Sequence, residues 1–250
     1  MKKLWKRILL SFGILILVSA VGFVAWGSTP LGPGEAALAA LSSDSTVQVT
    51  TADDYILFQP LGANANPGTG LLFYPGGHVD YRSYAPILRP LAEQGYLVVL
   101  AKMPLSLAVF AINRADAILP AFPAITTWAI GGHSLGGAIA ARYVYSHPGA
   151  VQGLILFASF PASTDDLTQS GLQVLSIFGS EDGGLDGIEA ASALLPASTQ
   201  WVHMQGGNHA QFGDYGLQPG DGTASISPAA QWQQIISATA AFLQALSAPK

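Results

Sequence analysis

Apolar positions along this chain follow three patterns in turn. From Ile8 to Trp26 no residue is charged, and a helix of that length, rising about 1.5 Å per residue, spans the roughly 30 Å hydrocarbon layer of a bilayer. The first pattern therefore predicts one N-terminal transmembrane helix within residues 1–26. Gly27-Ser28-Thr29-Pro30-Leu31-Gly32-Pro33-Gly34 ends it. This stretch has no period and the strongest breakers, so residues 27–45 read as a linker, with room for a short Ala-rich helix at 35–41. Beyond it, strands at 47–51 and 55–59 separated by Ala52-Asp53-Asp54 predict a hairpin. The third pattern is continuous: apolar runs at 71–74, 96–101, 128–130, 154–158, 174–178 and 201–204 alternate with helical segments at 84–94, 107–118, 135–146, 185–194 and 229–246. Strands apolar on successive residues are covered on both faces, and helices between them imply right-handed crossovers. The expected architecture is α/β: a mostly parallel twisted sheet of about eight strands with helices on both faces, in one domain over 46–250. In its last helix, Ser227 is the N-cap, Pro228 sits in the first turn, and Trp232, Ile235, Ile236, Phe242, Leu243 and Leu246 recur at helical spacing for packing on the sheet.

Charge adds direction to this pattern. Lys2, Lys3, Lys6 and Arg7 precede the first apolar run and no cation directly follows it, so the positive-inside rule keeps the N-terminus cytoplasmic and sends the remainder across. The competing reading is a signal peptide cut after Val18-Ser19-Ala20; the run exceeds the ~7–15 residues of a signal core, which favours the uncleaved anchor. Either reading puts the domain outside the cytoplasm, membrane-anchored or secreted. From Glu35 onward six basic residues face fifteen acidic ones, a balance that repels phosphate backbones and argues against nucleic acid as a partner. Half of the 250 residues are apolar, enough for one substantial core. With no cysteine in the chain, disulfides, thiolate metal sites and cysteine nucleophiles are excluded together. The pattern says nothing of oligomeric state.

The sharpest chemical signal is Gly132-His133-Ser134-Leu135-Gly136-Gly137, between the expected strand at 128–130 and the helix at 135–146. This is the setting of a G-x-S-x-G elbow, in which a serine on a strained strand-to-helix turn leaves no space for side chains two residues away. Ala138, Ala140 and Ala141 then let the helix lie close to the sheet. A chance match is common in a chain with 28 glycines; the strand-helix context gives this one its weight. These residues, and the strand order around them, resemble the α/β-hydrolase superfamily, over nearly everything from about Thr46 onward.

The resemblance implies an acid and then a histidine downstream of the serine, each on a loop after a later strand. Gly179-Ser180-Glu181-Asp182-Gly183-Gly184 offers Asp182 for the acid, with Glu181 and Asp186 as competitors and a solvated acidic loop as the plainer reading. His209, in Gly206-Gly207-Asn208-His209, follows the last strand and matches the base. The other histidines fit other roles: His133 adjoins Ser134 where the turn sends side chains apart, His203 lies inside a strand, His147 caps a helix end, and His78 precedes the serine. In the implied mechanism His209 takes the proton of Ser134 as it attacks an ester-like carbonyl, Asp182 fixes the imidazole, and water resolves the acyl-enzyme. The oxyanion would be held by the amide of Leu135 and by one from Tyr74-Pro75-Gly76-Gly77-His78, Gly77 before Gly76, with an ordinary Gly-Gly turn as the alternative.

Within the superfamily the likeness is to the small, lidless, dienelactone-hydrolase-like group. That enzyme uses a cysteine nucleophile where this chain has Ser134, so the fold carries over and the lactone does not. Residues 161–170, where relatives with a cap insert it, are too few for a lid. The apolar run 103–110 reads as core packing before acyl pocket, and the irregular segment 210–226, with Phe212, Tyr215 and Asp221, either shapes an entrance or braces the last helix. The expected activity is cleavage of a small-molecule ester, or else a thioester, lactone or amide, by a serine hydrolase without metal or organic cofactor. An acyltransferase or peptidase on the same residues, and a catalytically silent binding protein on the same fold, are the rivals. A lipid-surface binder would need a basic amphipathic helix beyond the anchor, and none is apparent.

Overall fold

The computed structural model describes residues 2–62 and 68–248; the outer limits expected at residues 1 and 250 lie outside these. The apolar N-terminal run forms helix α1 (Lys2–Gly27), long and apolar enough to cross a membrane, with its spanning window unburied by the rest of the chain. After a short helix α2 (Glu35–Ala39), strands β1 (Val47–Thr51) and β2 (Tyr55–Pro60) pair as an antiparallel hairpin. The remaining strands are β3 (Thr69–Tyr74), β4 (Leu97–Ala101), β5 (Thr127–His133), β6 (Gly153–Phe157), β7 (Gln173–Gly179) and β8 (Gln200–Met204). They form one eight-stranded sheet in the order β1-β2-β4-β3-β5-β6-β7-β8, with β2 antiparallel to β4 and every later pairing parallel.

The helices between them are α3 (Ala85–Glu93), α4 (Arg114–Ile118), α5 (Leu135–Ser146), α6 (Leu185–Ala190) and α7 (Pro228–Ser247). Residues of β3 are buried on both sides, and their alternation divides the core. Leu71 and Phe73 join α3 and α7 residues such as Leu88, Leu91, Phe242 and Leu243 on one face. Leu72 and Tyr74 join Ile130, Ala140, Ala141 and Leu156 on the other. Each such large side chain contributes about 1.5–3 kcal/mol on burial, so the order of the central strands is set by apolar packing on both faces. α7 starts as expected, the hydroxyl of Ser227 accepting from the Ala230 amide at 3.2 Å.

The helix expected over 107–118 is not continuous. Residues 108–111 make a 3₁₀ turn, and α-helix begins only at Arg114. The physical cause is Tyr74 of β3, whose hydroxyl accepts from the Ala115 amide (2.9 Å) and donates to the Ile112 carbonyl (3.3 Å), taking the place of intrahelical partners. Core packing accounts for Met103 and Ala108, which are buried, but not for Val109 and Phe110, which are exposed.

Candidate active site

Parallel strands bring the ends of β3, β5, β7 and β8 to one edge of the sheet, and Gly76, Gly77, Ser134, Leu135, Asp182 and His209 all follow those ends. At the end of β5 the chain turns sharply, with Ser134 at φ 52°, ψ −125°. Such a conformation costs on the order of 1–3 kcal/mol and persists only where the surroundings enforce it. Here the Ser134 amide donates to the Phe157 carbonyl of β6 (2.9 Å), and its own carbonyl accepts from the Ala138 amide (3.1 Å) and the Ser159 hydroxyl (2.6 Å). A Cβ on Gly132 would press on the backbone of Gly136, and one on Gly136 would strike the carbonyls of Tyr74 and Pro75. The turn thus closes only because both flanking positions lack a side chain.

Asp182 lies in the loop after β7, its carboxylate fully buried. One oxygen accepts from the Gly184 amide (2.7 Å), and the two stand 3.2 and 3.1 Å from His209 Nδ1. The competing carboxylates are elsewhere: Glu181 accepts from the hydroxyl of Ser180, and Asp186 sits in the first turn of α6. With Nδ1 facing Asp182, the other ring nitrogen of His209 is the one available to a proton from a reacting group. Ser134 and His209 line one cleft of about 270 Å³ with Gly183, Gly184, Gln218, Pro219, Gly220 and Asp221. Among the described residues no hydrogen bond joins the serine hydroxyl to the imidazole. A second hollow of about 320 Å³ meets Ser134 from the other side, between Gly77, His78, Leu107, Leu135 and Trp26. A third of similar size, about 330 Å³, lies by His147, Leu167 and Leu172 and holds none of these groups; chemistry rather than volume locates the site.

In the loop after β3, the Gly76 amide donates to the Tyr84 hydroxyl at 3.0 Å. The amides of Gly77 and Leu135 have no hydrogen-bond acceptor among the described residues, and a Cβ built on Gly77 would meet the Leu135 side chain, so the two positions are neighbours across the hollow. The Tyr84 hydroxyl in turn shares a hydrogen bond of 2.8 Å with Nδ1 of the buried His133. Burial, and then the neighbouring His209, hold the His133 pKa well below the usual histidine range. His133 is therefore neutral, packed 4.4 Å from the His209 ring and stacked on Phe212.

Two residues of the site carried no clear signal in sequence. Asp221, between Gly220 and Gly222, accepts from the amides of His209 (3.1 Å), Ala210 (2.7 Å), Gly222 (2.9 Å) and Gly183 (3.3 Å). It ties the loop of His209 to the loop of Asp182. Gln231 of α7 grips Asn208 from the other side, accepting from its amide (3.0 Å) and donating to its carbonyl (2.8 Å). A carboxylate flanked by glycines was visible; its long-range amide partners were not. Of the remaining histidines, His147 caps α5 through the Tyr143 carbonyl and His203 stacks on Phe178, while His78 stacks on Trp26 in the wall of the second hollow.

A curated protein of Shewanella sp. (strain MR-7), a pimeloyl-[acyl-carrier protein] methyl ester esterase, is 33% identical over 123 residues, which is 46% of each chain. The chain thus spans about half the length of the curated relative it matches. Solved structures share its fold at lower identity. The crystal structure of TT1662 from Thermus thermophilus superposes with a TM-score of 0.59 at 17% identity, covering 81% of this chain and 99% of the other. The dienelactone hydrolase from Anabaena variabilis gives 0.55 at 18%, covering 79% and 99%. The model of the alpha/beta hydrolase family matches residues 70–233, from β3 into α7, and with that sheet order and that turn at Ser134 the chain belongs to the alpha/beta hydrolase family.

Proposed function

We propose that this hydrolase cleaves an ester through an acyl-serine intermediate, with Ser134 as nucleophile, His209 as general base and acid, and Asp182 as the group that orients and stabilises the imidazole. The observation that carries the reading is His209 Nδ1 held by the buried Asp182 carboxylate in the cleft where Ser134 sits at a strained turn. His209 Nε2 takes the proton as the Ser134 oxygen bonds to the carbonyl carbon. The developing oxyanion is met by the amides of Gly77 and Leu135, both without an acceptor among the described residues. Collapse of the tetrahedral species breaks the carbonyl–alkoxy bond, and the alcohol leaves with the proton from His209. Water then enters, gives its proton to His209, and releases the acid and the serine hydroxyl. Gly76 is excluded from the second oxyanion position by its bond to Tyr84, while that same bond fixes the loop from which Gly77 donates.

An ester is favoured over other acyl compounds because the Shewanella relative is named for one. The connection from β6 to β7 carries no helix that could act as a lid over the cleft, which leaves water free to resolve the acyl-enzyme. Retention of α1 as a membrane anchor, with the catalytic domain on the side opposite the N-terminal cations, is part of the same proposal. Labelling with a fluorophosphonate probe tests the chemistry: an adduct that disappears in Ser134→Ala supports the enzyme, and a folded wild-type protein that takes no label overturns it in favour of a silent binding protein.

A further inference from the structure

Helix α1 does not leave the domain as a free tether. Its last turn is docked on the active-site rim: the Trp26 indole stacks on the His78 imidazole with centroids 4.1 Å apart and planes 8° from parallel. His78 Nε2 also lies 2.8 Å from the Trp26 carbonyl. Phe23 packs edge-on against Phe110 at 6.0 Å, and Gly27 is buried against Leu105. Beyond the helix, the Leu31 amide donates to the His78 carbonyl (2.9 Å), and the Leu31 carbonyl accepts from Asp80 (2.8 Å). Trp26 is itself a wall of the hollow that contains Ser134, Gly77 and Leu135.

This attachment sets the depth of the mouth. If Ile8 opens the hydrocarbon layer, a rise of about 1.5 Å per residue carries Phe23 about 22 Å and Trp26 about 27 Å across it, to the approach of the opposite interface where aromatic rings collect. Phe110 touches Phe23 and so lies at the same level. Around it the segment 103–113 carries no charge, and Val109, Phe110 and Ile112 are exposed by 42%, 53% and 36%. Leu217, exposed by 89%, adjoins Gln218, which lines both hollows at Ser134. Apolar side chains left in water beside a membrane helix are accounted for when the bilayer covers them.

We propose that the catalytic cleft opens onto the bilayer interface, with Trp26 as part of its wall, and that its substrate is a membrane-dissolved ester with a long apolar chain, entering past Phe110 and Leu217. This rests on the serine-hydrolase reading and on an uncleaved α1, and it can be tested apart from the first. Since the chain has no cysteine, Phe110→Cys, Leu217→Cys and, as an aqueous reference on α7, Gln233→Cys can each carry one nitroxide in the full chain reconstituted in phosphatidylcholine vesicles. The labels at 110 and 217 are expected to favour collisions with oxygen over a nickel chelate, the label at 233 the reverse; equal nickel access at all three overturns the proposal. In the same vesicles, turnover of 4-methylumbelliferyl oleate relative to aqueous p-nitrophenyl acetate is expected to fall about tenfold in Phe110→Asp or Leu217→Asp, the scale of losing one buried apolar side chain. A ratio unchanged in both variants also overturns it. If the labels lie in the bilayer while neither ester is turned over and no fluorophosphonate adduct forms, the hydrolase reading has failed and the substrate class falls with it.

Discussion

Ser134 is held by its neighbours in the chain and in the adjoining strand, whereas His209 is held by groups drawn from three other segments. The serine's conformation follows mainly from Gly132, Gly136 and the Phe157 carbonyl of β6, backbone features that admit no adjustment, with one side chain, the Ser159 hydroxyl, on its carbonyl. The histidine depends on side chains: Asp182 on its ring, Asp221 on its amide, and Gln231 on Asn208 beside it. A backbone device is tolerant of remote change and intolerant of a single added carbon. A side-chain device inverts that sensitivity, and its parts can be removed one at a time.

Removing the chemistry itself should give the largest effect. Ser134→Ala, and Asp182→Asn with the imidazole left in the wrong tautomer, are each expected to lower kcat toward a soluble p-nitrophenyl ester by on the order of 10⁴ or more. The protein should keep its thermal transition; residual turnover within tenfold of wild type would remove either residue from the mechanism. Next in size, Gly136→Val drives a side chain into the Tyr74 and Pro75 carbonyls, where no side chain can give way. A loss of about 3 kcal/mol is expected, seen as a fall in Tm of the full chain in detergent. An unshifted Tm would show that the turn is looser than its geometry.

The side-chain device should fail more gently and in function first. Asp221→Ala leaves the amides of His209, Ala210 and Gly222 without their acceptor, at about 1–3 kcal/mol for a buried donor left unmade. With His209 displaced, kcat is expected to fall about 10- to 100-fold while Tm drops less than in Gly136→Val. If Asp221→Ala instead matches the glycine variant in Tm loss with kcat intact, the two loops are a structural unit and not a positioning device.

The smallest expected effect concerns pH. His133 is buried neutral, its folded pKa held below the unfolded value by burial. Below about pH 6.5 the unfolded chain takes up a proton that the folded chain refuses, so stability falls as pH drops, by about 1.4 kcal/mol per pH unit, until the folded imidazole also charges. His133→Phe should lose this component: between pH 7.5 and 5.5 its Tm should decline less than that of wild type. Equal declines would mean that His133 is protonated in the folded protein at pH 5.5.

Periodicity and short-range sterics made much of this molecule legible. Continuous apolar runs marked the central strands because a strand covered on both faces has no polar positions to spare, and Gly132, Ser134 and Gly136 marked the turn because its geometry admits nothing larger. The helix expected over 107–118 was misread for the converse reason. A distant hydroxyl, that of Tyr74, replaces the local bonds on which helical spacing relies. The bond from Gly76 to Tyr84 could not be foreseen either, since it joins a glycine loop to a residue that spacing marked only as the start of a helix.

By itself the amino-acid sequence determined the α/β class, the strands, the strained turn and an N-terminal helix of membrane length, because each follows from spacing within a few residues. Tertiary structure alone decided that Asp221 and Gln231 hold the histidine loop and that Trp26 packs against His78 beside Ser134, and it chose Asp182 over Glu181 and Asp186 as the carboxylate on His209. These are contacts between side chains far apart in the chain. Their partners are selected by how the sheet stacks its strands, a choice made by packing on both faces at once and written at no single position.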